Sequence, residues 1–529
     1  MKKSVLNTLQ KHLEGDFALE KPKDTAFGHY ATPAAFSLAK IHRKSPMLIA
    51  QELAEKFADE KIFSRVDALK GYLNFKLSDA FLDQKATEAI LDEANFARGD
   101  KSGTILLEYV SANPTGPLHI GHARGAVFGD TLYKIGKHLG YDITAEYYVN
   151  DAGNQIRLLG LSIYLAGRER YSDQPVEWPE EFYRGEYIHD LAAEAQAQFG
   201  SEIFDDEKSI ELLSNWGKEK MLELIRRNLA DANIRFDTFV SEKALFEKWD
   251  ETFAKLQQNP EAVYEEDGKV WLRSSLKGDE KDRVIVREDG RPTYLAGDII
   301  YHNEKFERGY DHYINIWGAD HHGYIARVKA AIEFLGYDSD RLEVILSQMV
   351  ALLKGGEPYK MSKRAGNFIL MSDVVEEVGA EALRFIFLTK KSDTHLEFDV
   401  DMLKTEDSSN PIYYIQYAHA RINQVFEKAG KDPHQVVRTE LRDLDEDAQN
   451  LLFSALLLPE VLEDAFESRQ LQKLTEYLKS LAAFYHQFYN KHKIVGTENE
   501  EKYLKLSAMV AVTIRTGLRL MGIEAKYKM

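Results

Sequence analysis

A strand, a tight turn and a helix start follow one another between residues 105 and 132, and this succession constrains the fold more than any other feature of the sequence. Residues 105–107 are apolar and predict a buried strand. Two prolines and a glycine within residues 113–117 end that strand, and helical spacing begins near His119. The free N–H groups and the dipole of a helix start favour an anion there. The stretch therefore predicts an α/β core with a phosphate site at this turn.

Two histidines mark the start of the predicted helix. His119 and His122 are three residues apart, so both imidazoles project from one face of the first turn. Gly121 lies between them and leaves room for a ligand to approach closely. An isolated pair of this kind is more often a solvated turn with two surface histidines. Its position directly after a strand and a Pro/Gly turn favours a binding site instead.

A second candidate site is the glycine-flanked loop of residues 354–367, about 240 residues further along the chain. It carries Lys360, Lys363 and Arg364, and lysines in such a loop suit a developing negative charge on phosphate. Taken by itself, the loop is interpreted equally well as a solvated basic turn. Neither stretch is a Walker A motif or a GxGxxG, so an ordinary P-loop ATPase or a dehydrogenase is not supported. Together they indicate nucleotidyl transfer, in which an α-phosphorus is attacked and pyrophosphate leaves.

The composition narrows the classes of protein to which the chain can belong. Its 529 residues are too many for one core, and 44% hydrophobic and 11% aromatic residues are typical of globular proteins. The absence of cysteine excludes disulfides, thiolate metal sites and cysteine nucleophiles, and it suits a reducing cytoplasm. The N-terminal residues lack the apolar core of a signal peptide, and no apolar run predicts a membrane span. A net charge of −18 argues only weakly against a nucleic-acid partner, because a local basic patch can coexist with an acidic remainder.

Three domains are predicted along the chain. Residues 1–95 mix helical and strand-like spacing and predict a small α+β domain with a binding or docking role. Residues 96–404 predict an α/β core with a parallel sheet, and an insertion at about 165–285 consists mainly of long helices and one hairpin. Residues 405–529 show helical spacing almost throughout and predict an all-α bundle.

Two tetrapeptides and their surroundings resemble a known enzyme family. Residues 119–122, HIGH, and residues 360–363, KMSK, match the two signatures of class I aminoacyl-tRNA synthetases and stand in the same order. The longer words SANPTGPLHIGHAR, YYVNDAGNQI, YLAGDIIY and YYIQYAHARI resemble arginyl-tRNA synthetases. The resemblance covers essentially the whole chain and is weakest in the insertion. It implies a Rossmann-like catalytic core between an N-terminal tRNA-binding domain and a C-terminal anticodon-binding domain.

By this resemblance the chain is an arginine–tRNA ligase. ATP, accompanied by Mg²⁺ as a substrate and not as a prosthetic group, would activate L-arginine to arginyl-adenylate, and the arginyl group would then pass to the 3′ end of tRNA(Arg). No zinc, no dedicated metal site and no membrane partner are expected, and the family's common habit is a cytoplasmic monomer. Catalysis is implied for His119, His122 and Lys363. The residues implied in ATP binding are His119, Gly121, His122, Gly318, Asp320, Lys360 and Lys363.

An arginine substrate requires carboxylates, because a guanidinium pairs best with a planar anionic partner. Asp298 lies one helical turn after Tyr294, and both match family positions that line the side-chain pocket. Glu242 is a second candidate carboxylate for that pocket. Glu108 is unusual as a charge in an apolar strand, and with Asn113 it matches residues that hold the substrate's backbone amino and carboxylate groups. The alternative for Glu108 is a solvated carboxylate at the edge of the sheet.

The resemblance implies that the C-terminal bundle contacts the anticodon. Tyr413, Gln416 and Tyr417 lie on one predicted helix, and aromatic side chains between hydrogen-bonding groups suit single-stranded RNA. A core aromatic stripe is an equally good interpretation of the two tyrosines. In the N-terminal domain, Asn74 is a candidate contact to the tRNA elbow. Pro33 stands where the family often has Asn, so the loop around it departs from the family pattern.

Three other functions stay open at this point. A synthetase for another amino acid would share both signatures, although Asp298 and Glu242 disfavour an apolar substrate. A non-catalytic paralogue that binds tRNA usually loses one signature, and this chain keeps both. A small-molecule nucleotidyltransferase would share the histidine pair but not the long helical C-terminal domain.

Overall fold

The computed structural model describes residues 1–13, 17–22, 24–172, 175–360 and 368–529. These residues form two compact units. One unit consists of Asp100–Thr405 with Gln470–Gln472. The other combines the outer parts of the chain, Met1–Gly99 with Glu406–Arg469 and Lys473–Met529. The α+β domain and the helical bundle predicted from the sequence therefore share one unit.

The described N-terminal residues form a three-stranded antiparallel sheet with four α-helices. The sheet has the order β1-β3-β2. Aromatic rings of Phe57, Phe63 and Phe75 pack against one another in its core, with centroids 4.7–6.4 Å apart. The predicted helices and strands of this region are present. Their bounds are α1 (Lys2–Gln10), β1 (Tyr30–Thr32), α2 (Ala34–His42), α3 (Pro46–Phe57), β2 (Phe63–Leu69), β3 (Tyr72–Leu77) and α4 (Asp79–Leu91).

A five-stranded parallel sheet forms the centre of the second unit, and it confirms the α/β prediction. Its strands are short and mostly apolar because helices cover both faces of a parallel sheet. The order is β11-β10-β4-β5-β6. The strands are β4 (Thr104–Glu108), β5 (Asp142–Val149), β6 (Thr238–Ser241), β10 (His312–Gly318) and β11 (Leu342–Ser347).

The strand order creates a switch point beside β4. From β4 the chain builds one side of the sheet through β5 and β6, and it later adds β10 and β11 on the other side. In open parallel sheets, ligands bind outside the carboxyl ends of the strands at such a reversal. The topology therefore locates the candidate site at the carboxyl ends of β4 and its neighbours.

Among the described residues of this unit, the remaining elements are ten α-helices, several 3-10 turns and two small sheets. Helical spacing over residues 243–258 predicts one helix. That prediction is wrong, because a 3-10 turn at Phe246–Lys248 separates two shorter helices. The helices are α5 (Ile120–Leu139), α6 (Asn154–Tyr171), α7 (Glu186–Phe199), α8 (Ser209–Asp231), α9 (Glu242–Leu245), α10 (Trp249–Gln257), α11 (Tyr294–Glu307), α12 (Ile325–Phe334), α13 (Met371–Val378) and α14 (Ala380–Phe387). The small sheets contain β7 (Val263–Glu266), β8 (Lys269–Leu272), β9 (Arg283–Val286), β12 (Val350–Lys354), β13 (Glu357–Pro358) and β14 (Leu396–Asp399).

The C-terminal part of the chain is helical, as predicted. Helical spacing over residues 446–466 predicts one helix. The structure has two helices there, because Pro459 lacks the N–H that would continue the earlier helix. The bounds are α15 (Pro411–Ala429), α16 (Pro433–Val436), α17 (Glu446–Ala455), α18 (Leu458–Glu467), α19 (Gln472–Lys491) and α20 (Glu500–Leu520). Across the described residues, no helix combines the length and the apolar character that crossing a bilayer requires.

Ion pairs join the two outer parts of the chain within their unit. Lys505 of α20 is buried, and its Nζ lies 2.5 Å from Oδ1 of Asp83 in α4. Arg515 of the same helix donates two hydrogen bonds to Glu93, at 2.8 and 2.6 Å. A buried charge is strongly unfavourable without its partner. These pairs therefore help to explain why the two parts form one compact unit.

Candidate active site

The carboxyl ends of four parallel strands bring together most of the residues that the sequence singles out. Glu108 is the last residue of β4, Glu242 follows β6, and Gly318 ends β10. The turn after β4 leads to His119, which is the N-cap of α5. The polar residues after β5, Asn150 among them, lie at the same edge of the sheet.

The two histidines at the start of α5 stack on each other. Their ring centroids are 3.6 Å apart. Nδ1 of His119 accepts the backbone N–H of Gly121 at 3.2 Å, and Nδ1 of His122 accepts the backbone N–H of His119 at 3.4 Å. A Cβ on Gly121 would lie 3.0 Å from the His119 ring, so glycine allows this close stacking.

The same hydrogen bonds determine where each imidazole carries its proton. Burial lowers the pKa of His122 to about 3, with a further contribution from His119, and burial also lowers the pKa of His119. Both rings are therefore neutral at pH 7. Because each Nδ1 accepts a hydrogen bond, the proton resides on each Nε2. The helix start thus presents two neutral N–H donors that suit phosphate oxygens.

The residues that directly follow the lysine loop contact the start of α5. The ring of Phe368 stacks on His119 with centroids 5.2 Å apart. The N–H of Ile120 donates to the carbonyl of Ile369, and the N–H of Met371 donates to the carbonyl of Leu118, both at 2.9 Å. Lys360 is exposed at the near end of the loop. Lys363, the predicted catalytic lysine, lies outside the described residues.

The proposed side-chain pocket contains two carboxylates: Glu242, which is buried, and Asp298, which is half-buried. Glu242 is 4% exposed, and its Oε2 has no hydrogen bond of ordinary geometry to any described residue. Burial raises the pKa of Glu242 to about 7, and the charge of Asp151 adds to the rise. Burial also raises the pKa of Asp298 to about 7, with the charges of Glu242 and Glu108 adding to the effect. A cation between these groups would relieve both burial and mutual repulsion.

A network of hydrogen bonds fixes the position of Glu242. Asp151, in the turn after β5, accepts the hydroxyl of Ser241 at 2.9 and 2.8 Å and the backbone N–H of Lys243 at 2.9 Å. The Ser241 hydroxyl in turn caps α9 by accepting the N–H of Ala244. These bonds hold the residues on either side of Glu242, so its backbone has a defined location.

Glu108 is a central buried carboxylate and does not lie at an edge of the sheet, because β4 has neighbours on both sides. It lies opposite Glu146 in the register of β4 and β5. Each carboxylate pairs with a cation: Lys305 lies in α11, and Arg308 directly follows that helix. Lys305 pairs with Glu108 at 2.5 Å, and Arg308 forms two hydrogen bonds with Glu146 at 2.6 and 2.8 Å. Without these cations, the facing like charges would repel each other.

The other predicted site residues line the opening of this region. Tyr294 is 57% exposed at the first position of α11, and its ring lies over Gly153, where a Cβ would come within 3.5 Å of it. Asn113 is exposed and donates to Oε1 of Gln155 at 3.0 Å. Asp320 is exposed in the turn after β10, and its Oδ1 occupies space that a side chain at Gly318 would need.

Several residues of the site were not singled out from the sequence. Tyr148 stacks on Tyr301 with centroids 4.1 Å apart; burial raises the pKa of Tyr148, and the charges of Glu242, Asp298 and Glu108 add to the rise. Alternate residues of a strand lie on one face, so Tyr148 shares a face of β5 with Glu146. An acidic residue within an apolar strand is unusual, and this could have drawn attention to Tyr148 on the same face.

The proposed RNA contacts lie in the other unit and differ in their accessibility. Tyr413 and Tyr417 are half-buried and stack with centroids 6.1 Å apart, and Tyr417 also accepts a hydrogen bond from Arg421. Gln416 is 2% exposed, and its amide pairs with the carbonyl of Glu524 and the N–H of Lys526, both at 2.6 Å. Asn74 is buried in β3, the central strand of its sheet.

Three family models match the chain. The model described as tRNA synthetases class I (R), catalytic domain, matches residues 86–427. The model described as Arginyl tRNA synthetase N terminal domain matches residues 1–77, and the DALR anticodon binding domain matches residues 415–529. Together they cover nearly the whole sequence.

Curated relatives are similar along the full length. The arginine–tRNA ligase of Nitratiruptor sp. is 67% identical over 529 residues, which are 100% of both chains. The arginine–tRNA ligase of Wolinella succinogenes is 61% identical over 529 residues, again 100% of both. The solved arginyl-tRNA synthetase of Thermus thermophilus has a TM-score of 0.75 at 22% identity, covering 100% of this chain and 99% of its own, and supports the fold.

The catalytic-domain model spans more than half of the sequence, and curated relatives exceed 60% identity over its whole length. The chain belongs to the class I arginyl-tRNA synthetases.

Proposed function

We propose that the chain attaches arginine to tRNA at the expense of ATP, and that the strand ends around β4 are its active site. The observation that carries this proposal is the presence of two kinds of group around the carboxyl ends of the parallel strands. Two neutral histidines offer N–H donors at the helix start after β4, and Glu242, directly after β6, is a carboxylate whose charge acts on Asp298. The first pair suits a triphosphate and the second suits a guanidinium.

In the first step, an oxygen of the arginine carboxylate attacks the α-phosphorus of ATP. A new P–O bond forms, the bond to the β-phosphate bridging oxygen breaks, and pyrophosphate leaves with the electron pair. Nε2–H groups of His119 and His122 donate to phosphate oxygens as negative charge shifts onto the leaving group. Lys360 and Lys363 complement that charge from the loop. Mg²⁺ enters with ATP and screens its phosphates.

The pocket distinguishes arginine by charge. Glu242 and Asp298 are each partly protonated at neutral pH, because burial raises both pKa values to about 7. A guanidinium remains protonated at this pH and displaces those protons by direct pairing. A neutral side chain of similar size leaves the two carboxylates buried without a cation, which is unfavourable. Tyr294 covers the opening, and Asn113 holds the backbone end of the substrate.

In the second step, a ribose hydroxyl of the terminal adenosine of tRNA attacks the arginyl carbonyl, and AMP leaves. The aromatic surface of Tyr413 and Tyr417, with the Arg421 guanidinium beside it, suits stacking against unpaired anticodon bases. We leave Gln416 and Asn74 out of this surface, because backbone groups occupy the Gln416 amide and Asn74 is buried. We propose that the protein acts in the cytoplasm as a monomer. Sedimentation of the purified protein tests the oligomeric state.

The deciding measurement is ATP–pyrophosphate exchange in the presence of tRNA, with each amino acid in turn. Arginine should support exchange, and no exchange with arginine alongside exchange with another amino acid would reject the assignment. Two matched variants test the division of the site. Asp298→Asn should raise the KM for arginine about 100-fold or more and leave the KM for ATP within about twofold, because a charge-assisted bidentate pair is lost. Asp320→Asn should do the reverse, and equal effects on both substrates would contradict the assignment.

A further inference from the structure

Lys305 is a buried cation directly beneath the candidate active site. It is 0% exposed and lies on α11, the helix that carries Tyr294 and Asp298. Its Nζ donates to Oε2 of Glu108 at 2.5 Å and to Oδ1 of Asn315 at 2.8 Å. Buried ion pairs often contribute no more stability than well-packed apolar residues would. The presence of this pair therefore calls for a role other than stability.

The ion pair orients a carboxylate whose two oxygens have different partners. Oε2 of Glu108 accepts from Lys305, and Oε1 accepts the hydroxyl of Ser111 at 2.9 Å. The Ser111 hydroxyl also accepts the backbone N–H of Tyr148 at 3.1 Å. Each carboxylate oxygen retains a second lone pair. Glu108 can therefore keep these bonds and still accept one from an ammonium group.

The turn that follows Glu108 is strained. Val110 has a φ of 69° and Ser111 a φ of 44°, which is the left-handed region that side-chain-bearing residues rarely adopt. Strain of this kind persists only where surrounding contacts over-determine the backbone. The contacts here are the Glu108–Ser111 bond and a hydrogen bond of 2.8 Å from the Tyr147 hydroxyl to the carbonyl of Ala112. The next residue is Asn113, the proposed partner of the substrate's backbone groups.

A second series of hydrogen bonds links Lys305 to the backbone of Asp298, at the side-chain end of the proposed pocket. Asn315, which accepts from Lys305, also bonds with Nε2 of His302 at 3.0 Å. Nδ1 of His302 lies 2.7 Å from the carbonyl oxygen of Asp298. Asn315 and His302 are both buried, and His302 is neutral because burial lowers its pKa to about 3. One cation thus connects both ends of the arginine pocket.

We propose that Lys305 is a positioning residue for the amino acid substrate: it fixes the carboxylate of Glu108 and, through Ser111, the strained turn that presents Asn113. The inference rests on the proposed function, because it assigns the α-amino and carboxylate end of arginine to Glu108 and Asn113. Lys305 itself does not touch the substrate. Its removal should misplace the backbone end of arginine and leave the histidine pair that receives ATP in place.

Arg308 provides a matched control. It lies one turn further along and neutralises Glu146, the carboxylate opposite Glu108 in the register of β4 and β5. Glu146 bonds with Tyr301 and Thr238 and not with the strained turn. Arg308→Met therefore uncovers a facing buried carboxylate in the same sheet without loosening Ser111. A purely structural role for Lys305 would make the two variants alike.

The experiment measures tRNA-dependent ATP–pyrophosphate exchange with arginine for the wild type, Lys305→Met, Arg308→Met and Ser111→Ala, with thermal melting of each protein. We expect Lys305→Met to raise the KM for arginine at least 30-fold and the KM for ATP by no more than twofold. Arg308→Met should change neither KM by more than twofold, whatever its melting temperature. Ser111→Ala, which keeps both charges of the ion pair, should raise the KM for arginine about tenfold and serves if Lys305→Met does not fold.

The outcomes separate this inference from the proposed function. Absence of arginine-dependent exchange in the wild type rejects the proposed function itself. Exchange in the wild type with equal effects of Lys305→Met and Arg308→Met on the KM for arginine rejects the positioning role. An unchanged KM for arginine in Ser111→Ala rejects the route through the strained turn.

Discussion

The Oε1 atom of Glu242 lies 2.5 Å from the point where a Cβ on Gly297 would stand. The carboxylate therefore occupies the space that any side chain at position 297 would need. Gly297 is buried within α11 and directly precedes Asp298. A glycine inside a helix lowers its stability by about 1 kcal/mol relative to alanine, so a glycine here points to a steric requirement. That requirement is the approach of the two pocket carboxylates.

Gly297→Ala is expected to displace Glu242 and to raise the KM for arginine about tenfold or more. The helix itself should become no less stable, because alanine is the better helix former by about 1 kcal/mol. Steady-state exchange assays with varied arginine and varied ATP measure both KM values. Gly309→Ala is a control for a glycine where an added Cβ meets nothing within 4 Å, although its positive φ adds local strain. An unchanged KM for arginine in Gly297→Ala would contradict the steric role.

Arginine binding should weaken as the pH falls below 7. Glu242 and Asp298 have raised pKa values of about 7 in the free protein, so they take up protons below that pH, and a guanidinium must then expel them. The KM for arginine should rise about tenfold per pH unit for one coupled proton, and more steeply for two. His122 stays neutral across this range because burial lowers its pKa to about 3, and burial shifts the pKa of His119 in the same direction. Measurements from pH 6 to 8 with saturating ATP test this, and a flat KM would refute it.

Asp298→Asn should stabilise the protein at pH 8 while it weakens arginine binding. The pKa of Asp298 is raised to about 7 in the fold, well above the ordinary aspartate value. The cost of ionising it is therefore fully present above pH 7 and absent below about pH 4. The variant should gain about 1–3 kcal/mol at pH 8, and that gain should disappear near pH 4. Thermal melting of both proteins at pH 8 and pH 5 measures the difference, and a larger gain at pH 5 would have the wrong sign.

Two replacements of His122 distinguish the roles of its two ring nitrogens, Nδ1 and Nε2. An Asn side chain can accept the backbone N–H of His119 as Nδ1 does, but it offers no donor near the Nε2 position. A Gln side chain reaches that position with an N–H donor. His122→Asn should lower kcat about 100- to 1,000-fold, the usual loss of one oxyanion donor, and His122→Gln about tenfold. Single-turnover adenylate formation tests the order, and equal losses would indicate that Nε2–H does not act.

The sheet and the histidine turn were predictable because short stretches of sequence encode them. The apolar run before Glu108, the Pro/Gly turn and the helical spacing after His119 are local signals, and all three elements occur as predicted. A helix start after a parallel strand also limits where its side chains lie. The position of the candidate site at the strand ends followed from the same signals.

Pairings between distant residues were not predictable from the same patterns. Lys305 and Glu108 are 197 positions apart, and no local spacing indicates their contact. Gln416 was predicted to contact RNA, yet its amide pairs with backbone groups more than 100 positions away. Periodicity identifies which face of a helix is buried, but the partner on that face depends on the tertiary fold. The solvated-edge alternative for Glu108 is wrong for the same reason, since strand order is a long-range property.

The ion pair between Lys505 and Asp83 cannot form until the C-terminal part of the chain has been synthesised. Asp83 leaves the ribosome early, but Lys505 of α20 is made 422 residues later, after the whole of Asp100–Thr405. At roughly 5–20 residues per second, Asp83 waits about 20–85 s for Lys505. During that interval the carboxylates of Asp83 and Glu93 and the apolar surface beside them face solvent or chaperones. The first part of the chain to emerge is thus among the last to reach its native surroundings.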